Sequence, residues 1–418
     1  MNWSLPKRIL FRFAFVYWVL YALPAGGRVG ILSYVPGADW AMTPWTRLWH
    51  AICPWIAIHI FHLAGERTTY FLTGSGDTTL GYIENLAFLV LAAVVALAWS
   101  ALDWRRTEYR ALNAWLRMLL RYTLAFTLFA YGFAKVFPLQ FQPPHGLKLW
   151  EPYGEFSPMG ALWSFMGASV GYTMFAGASE TLGGLLLLFR RTTTLGALVS
   201  FAVMLNVVAL NFFYDVPVKL YSMNLLIMAA YLAAGDARRL LNVFLLNRPS
   251  EPVELEPPKF ASRRLRIAST AVWAVVAGYV LFQHIQGGWA GYRQSYLAPA
   301  STPINGLYDV LAYSLSIDGR QPLGAQAPWS KVDFTPQMVA VRRSDGNIMR
   351  YGVNYMPDRI MLNKTYTLAW SRPDASRVVL RGTLDAGEVT IELRAMDAGK
   401  FLLLNRGFHW INERPFNR

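Results

Sequence analysis

The stretch NFFYDVPVKLYSMNLL, Asn211 to Leu226, decides how the chain reads, because two opposite charges and a proline interrupt apolar runs on both sides. A proline ends one helix or starts the next, and Asp215 and Lys219 need water. The segment therefore reads as a short turn between two membrane helices, with its charges at the interface. Moving outward from that turn, apolar runs bounded by charge recur along the chain.

Composition sets the class. Of 418 residues, 54% are hydrophobic and 15% charged, and mean hydropathy is +0.27. A soluble domain carries about 25% charged residues, so this is the composition of a membrane protein. The net charge of +14 arises from 39 Lys and Arg against 25 Asp and Glu. The basic residues cluster beside apolar segments, which points to orientation in a lipid bilayer and away from nucleic acid. The single cysteine, Cys53, excludes an internal disulfide, a C-x-x-C redox pair, a c-type haem attachment and a cysteine-built zinc site. The basic start PKRILFR, residues 6–12, has no small-residue cleavage site after it and reads as part of a retained first span.

About 20 apolar residues cross a bilayer core. Seven segments qualify: Ile9–Leu23, Asn85–Leu102, Leu112–Phe137, Val170–Phe189, Leu195–Phe213, Val218–Ala234 and Ile267–His284. With seven spans, Lys7, Arg8 and Arg12 fall on the same side as DWRRTEYR (Asp103–Arg110), RRTTT (Arg190–Thr194) and the stretch from DARRLLNVFLLNR to KFASRRLR. That side is the cytoplasm. The C-terminus is then outside, and the expected location is the cell membrane, a bacterial inner membrane. Thr46–Gly65, with its tryptophans and histidines, fits an interfacial or re-entrant helix on the outer face.

Beyond His284 the pattern changes to strand-like alternation. MVAVRR and NIMRYGVNY meet at Asp345-Gly346, a hairpin signal, and TYTLAW, RVVLRGTL, EVTIELRAM and KFLLLNRGFHW follow at the spacing of a small sandwich or barrel. The expected fold is mainly α: a polytopic bundle of seven transmembrane spans plus an outer interfacial helix, with a small C-terminal all-β extracytoplasmic domain. Its divisions are N-terminal spans with the interfacial helix (1–110), a four-helix core (111–246), a proline-rich cytoplasmic linker (247–266), a seventh span (267–284), and an extracytoplasmic linker with a β-rich domain from about Trp329 (285–418).

Ionisable groups inside a span are costly and mark functional sites. Glu180 lies near the centre of the fourth span, and Thr173, Gly177, Glu180 and Gly184 recur at helical spacing, so its carboxyl lies on a small-residue face that packs against a neighbouring helix. Lys135 stands near the outer end of the third span, with Tyr131 one turn before it. Arg117 and Arg121 of the same span read as snorkelling to headgroups. Outer loops add His145, Asp215 and Lys219, with Asn211 one turn deeper, so Lys135, Glu180 and Asp215 are the candidate catalytic groups and Tyr131, His145, Asn211 and Lys219 the candidate substrate-binding ones. His59 and His62 share a helical face, with His50 about three turns earlier. Without acids or cysteines at ligand spacing they read as interfacial packing, and no metal site is expected.

YGFAKVF in the third span, GASETLGGLLLLFRRTTTLGAL across the fourth and fifth, and KLYSMNLLIMAAYLAAGD make the chain resemble the DoxX/DoxD-like family over Leu112–Asp236. Members of that family are four-helix membrane proteins, some of them implicated as subunits of thiosulfate:quinone oxidoreductase or in redox-stress complexes. The resemblance implies functional roles for Lys135 and Glu180. Two functions stay open. One is a quinone-linked membrane oxidoreductase component, with no covalently bound cofactor and quinone as its ligand, which needs direct electron transfer or a partner redox subunit. The other is a non-enzymatic scaffold or lipid-binding protein that shows its β-domain to an envelope protein partner.

Overall fold

The computed structural model describes residues 3–23, 34, 37–71, 74–252, 262–297, 302–316, 328–384, 387–407, 409–410 and 413–414. Most of the proline-rich linker lies outside the described residues. The chain divides into two compact units, one of residues 1–140 and 171–292, the other of residues 141–170 and 293–418.

The first unit is helical. In chain order it contains α1 (Leu5–Ala22), α2 (Ala38–His59), α3 (Thr79–Leu102) and α4 (Arg110–Val136). The chain leaves this unit through α5 (Pro158–Ala168) and returns in α6 (Val170–Leu188), α7 (Thr193–Phe213), α8 (Lys219–Ala234), α9 (Ala237–Phe244) and α10 (Arg263–Tyr292). The expected turn around Asp215 does separate α7 from α8. Val216 donates its amide to the Asn211 carbonyl at 2.9 Å, and Asp215 takes the left-handed conformation, φ 51°, that ends the helix.

The seven-span count is not upheld. Among the described residues three helical segments are long and apolar enough to cross a membrane: Thr79–Leu102, Arg190–Phe213 and Arg263–Leu297. A fourth qualifies only if α8 and α9, bent by 76° at their junction, form one broken span. The charges explain the difference. α1 carries Lys7, Arg8 and Arg12, α4 carries Arg110, Arg117, Arg121 and Lys135, and α6 mixes Glu180 with glycines, serine and threonines. Sequence inspection treats a charge near the end of an apolar run as a flank; in these helices the charges sit within the run.

Arg12 shows how such a charge is accommodated. It is 1% exposed. Its guanidinium donates to the Tyr109 hydroxyl at 2.9 and 2.7 Å, to Ser100 Oγ at 2.7 Å and to the Asp103 carbonyl at 2.9 Å. These bonds tie α1 to the turn between α3 and α4. The segment expected as an interfacial helix is α2, and it does not simply lie on a surface: Trp49, Cys53 and Ala57 are buried, and Trp49 meets Phe88 of α3 edge-on at 4.6 Å.

The second unit is built on a closed antiparallel barrel, β1 (Gly306–Ser316), β2 (Trp329–Phe334), β3 (Met338–Arg343), β4 (Ile348–Tyr355), β5 (Arg359–Leu362), β6 (Tyr366–Asp374), β7 (Arg377–Leu384) and β8 (Gly387–Ala395). Each strand pairs with the next, and β8 returns to β1, so no edge is left open. Alternate residues such as Val339 and Val341, Val378 and Leu380, and Ile391 and Leu393 face inward and fill the interior. The Asp345-Gly346 hairpin forms as read, with Gly346 at φ 88°. KFLLLNRGFHW, expected as a strand, instead holds a short helix, α11 (Leu402–Asn405). It is an apolar run without two-residue alternation, which does not distinguish strand from helix.

The segment from Phe141 to Val170 belongs to the barrel unit. Gly146 has φ 61°, and a Cβ there would run into the Asp333 carboxylate. Asp333 accepts a hydrogen bond from the Leu147 amide, and burial holds its carboxyl above the ordinary carboxylate range despite the nearby His145. A carboxyl raised in the folded state binds its proton more tightly than in the unfolded chain. Folding stability from this group is therefore highest below the unfolded carboxylate range and falls as pH rises through the raised folded value. Asp333→Asn should flatten that fall, read as hydrogen exchange of the β2 amides between acid and neutral pH; an unchanged slope would remove Asp333 as its source.

Candidate functional site

Glycines bring α4 and α6 together. A Cβ on Gly177 would stand 2.5 Å from the Gly132 carbonyl oxygen, 2.6 Å from Lys135 Cβ and 2.7 Å from the Val136 nitrogen. Two turns further, a Cβ on Gly184 would meet the Phe129 ring at 2.7 Å. With no side chains between them, the two backbones approach closely. Lys135 and Glu180 face each other on this seam.

Lys135 Nζ donates to Glu180 Oε2 at 2.8 Å and to the Tyr131 carbonyl at 3.3 Å, and it lies 5.6 Å from the Tyr131 ring centroid. Lys135 is 6% exposed and Glu180 3%. In a pair taken this far from water, desolvation offsets much of the attraction between ammonium and carboxylate, and loss of either partner is severe. Tyr131 is half-buried, and its ring lies 6.2 Å from that of Tyr221. The structure thus brings together three of the expected residues, Tyr131, Lys135 and Glu180.

The remaining expected residues lie elsewhere. Asp215 pairs with Lys219 at 2.7 Å, and its side chain is 82% exposed; an exposed pair of this kind adds little stability. Asn211 donates to Ser222 Oγ at 2.9 Å. His145 belongs to the barrel unit and contacts the Pro143 carbonyl at 3.0 Å. His50 stacks on Tyr70 at 4.0 Å, and His59 Nδ1 meets the Trp55 carbonyl at 2.9 Å. No group of three His, Cys, Asp or Glu able to hold a metal occurs among the described residues.

Two polar contacts escaped the sequence reading. The Tyr17 hydroxyl lies 2.8 Å from Asn85 Oδ1 and 2.5 Å from Asn224 Oδ1, joining α1, α3 and α8. Asp77, in the loop before α3, accepts hydrogen bonds from the amides of Lys219 at 2.8 Å and Leu220 at 3.0 Å. It caps the start of α8 from 142 residues away in sequence. Local cap signals look only to neighbouring residues, so composition alone cannot reveal it. Asp77→Ala should cost about 1 kcal/mol, and up to about 2 kcal/mol, with faster hydrogen exchange confined to the first turn of α8; an unchanged first turn would remove the cap.

No family model matches the chain. Over 133 residues it is 33% identical to the uncharacterized protein YwoB of Bacillus subtilis (strain 168), an alignment that takes in 79% of YwoB and 30% of the present chain. The chain belongs to the YwoB family. The remainder of the chain extends beyond that match, and no solved structure matches it. Membership in the YwoB family supplies no substrate, so the reading of the Lys135–Glu180 seam rests on its geometry.

Proposed function

We propose that the chain is a membrane-anchored scaffold. Its helical unit holds it in the cell membrane of a bacterium, and its barrel engages a protein partner in the envelope. One observation carries this choice: Lys135 and Glu180 are both buried and ion-paired in a seam where Gly132 and Gly177 leave no room for a Cβ. A quinone carbonyl would have to break a 2.8 Å ion pair to reach Lys135. The pair therefore serves as a lock between α4 and α6.

The three apolar helical segments support membrane residence. Arg8 donates to the Arg106 carbonyl at 2.7 Å, Arg12 bonds at the α3–α4 turn, and Arg117 and Arg239 approach Asp236 after α8. This cation-rich end of the helical unit faces the cytoplasm. α10 starts with Arg263, Arg264 and Arg266, so the barrel that follows it is extracytoplasmic.

The quinone-linked reading of DoxX-like type has one feature in its favour, the Tyr131 phenol beside Lys135. Crosslinking in cells, paired with quinol oxidation in isolated membranes, separates the two. The scaffold is expected to yield the same stoichiometric partner with quinone present or depleted, to lose it when residues 293–418 are removed, and to show no rate change in Tyr131→Phe. A turnover that falls in Tyr131→Phe while the protein stays folded would replace the scaffold reading.

A further inference from the structure

Several apolar side chains of the barrel unit stay outside its core, and they gather at one end of the barrel. β8 finishes beside the start of β1: Ala395 stands opposite Tyr308, and Met396 donates its amide to the Leu307 carbonyl at 2.8 Å. The chain then passes through a tight turn, Ala398–Lys400, into α11. This apolar run does not fold into the interior, since Leu402 and Leu403 are 50% and 56% exposed.

A second segment reaches the same end. The last residue of β2, Phe334, pairs with the first of β1, Gly306, and the Leu147 amide bonds the neighbouring Asp333. Three residues on, the Trp150 ring carries Lys331 Nζ over its face at 4.5 Å, and the Trp150 carbonyl accepts from Arg342 at 2.5 Å. The same ring meets that of Phe401 edge-on at 6.0 Å. Trp150 thus joins the Phe141–Val170 segment to α11. Tyr153, just beyond it, is 85% exposed. One aromatic contact therefore has Tyr153 on one side of it and Leu402 and Leu403 on the other.

Large apolar groups clustered in the open mark an interaction surface. Chain connectivity says with what. The apolar helical segment Arg263–Leu297 is long enough to cross a membrane, and Gly306, where β1 begins, follows Leu297 by nine residues. Fully extended, such a length reaches about 30 Å. The barrel end that holds Trp150 and α11 is the end the chain enters, so it is the end tethered nearest to lipid. Tyrosine, tryptophan and leucine are also the side chains that settle where headgroups meet acyl chains. Neighbouring charges largely answer one another, Lys148 with Glu151 and Lys331 with Asp309, each pair at 2.7 Å. The surface therefore offers apolar insertion, and little net charge for anionic headgroups.

We propose that Tyr153, Leu402 and Leu403, braced by the Trp150–Phe401 contact, dock the barrel unit onto the bilayer surface and insert into its headgroup region. The occupant of this patch is lipid. The inference rests on membrane residence alone and is independent of the Lys135–Glu180 lock and of the scaffold reading. It gives a role to KFLLLNRGFHW, whose α11 replaces the expected strand. It also leaves the opposite end of the barrel, with the Asp345-Gly346 hairpin, facing away from lipid.

Cys53 is buried, so a cysteine introduced at the surface can be labelled selectively. The full chain carries Tyr153→Cys, Leu403→Cys or, as a control at the far end, Thr383→Cys on the exposed face of β7. Each variant is labelled with a polarity-sensitive fluorophore and reconstituted in phosphatidylcholine vesicles. Quenching is read with iodide on both sides of the bilayer and, separately, with lipids bearing a headgroup nitroxide. The labels at 153 and 403 should be quenched by nitroxide lipid and shielded from iodide, and the label at 383 should behave in the opposite way. High salt or added phosphatidylglycerol should leave this pattern unchanged, because salt screens exposed charges and not apolar contact. Leu402→Ser combined with Leu403→Ser should shift docking about tenfold or more toward the undocked form and open the label at 153 to iodide. An unchanged unfolding midpoint in that variant separates loss of docking from loss of fold. Iodide access at 153 and 403 equal to that at 383 overturns the proposal. So does shielding of 153 and 403 from both quenchers, which would mean that protein covers the patch, or a pattern that appears only with phosphatidylglycerol.

Discussion

Lys135→Ala is expected to destabilise the helical unit by about 3–5 kcal/mol. The substitution leaves Glu180, at 3% exposure, without the ammonium that now stands 2.8 Å from its carboxylate. The seam cannot open to admit water at low cost, because the glycines that form it hold the two backbones in contact. The loss should appear as a lower unfolding midpoint in detergent and as exchange of amides along both α4 and α6. A midpoint within about 0.5 kcal/mol of the parent, the range of ordinary surface substitutions, would mean that the pair contributes no lock.

Gly177→Ala tests the same seam from the backbone side. The added methyl meets the Gly132 carbonyl oxygen and the Val136 nitrogen at 2.5 and 2.7 Å, and main-chain atoms cannot rotate away as a side-chain tip can. The helices must separate, and overpacking of this kind costs about 1–3 kcal/mol, occasionally more. Separation also stretches the ion pair, so Gly177→Ala and Lys135→Ala should be less than additive when combined. Denaturant unfolding of the two single variants and their combination reads this directly. Full additivity would show that the glycine and the ion pair act independently.

What the sequence disclosed follows the range of each interaction. Glu180 was legible because its small-residue neighbours recur at helical spacing, and the turn at Asp215 because charges and a proline interrupt the apolar runs. The pairing of Lys135 with Glu180 was legible only as two separate anomalies, since 45 residues separate them. The cap from Asp77 and the bonds of Arg12 were hidden for the same reason: each is satisfied by a partner about 90 to 140 residues distant. The span count failed on these same charges. An arginine satisfied inside a bundle looks, in a linear reading, like the end of a span.

The β region was clearer where strands alternate and weaker where they do not. β3, β4, β7 and β8 were read nearly in place, with the Asp345-Gly346 turn between the first two. β5 has only four residues, and β1 lies ahead of the region taken as β-rich. Closure into a barrel depends on the pairing of β1 with β8, a contact between strands about 80 residues apart that no local pattern carries.

The structural role of the Lys135–Glu180 pair is most directly tested by replacing both partners at once. Lys135→Met combined with Glu180→Leu removes two buried charges and keeps apolar volume in the seam, an exchange that is often neutral or stabilising. The expected result is an unfolding midpoint at or above that of the parent, far from the loss in Lys135→Ala, with the crosslinked envelope partner and membrane quinol oxidation both unchanged. A double variant that folds as well as the parent but has lost quinol oxidation would contradict the lock and return the pair to catalysis.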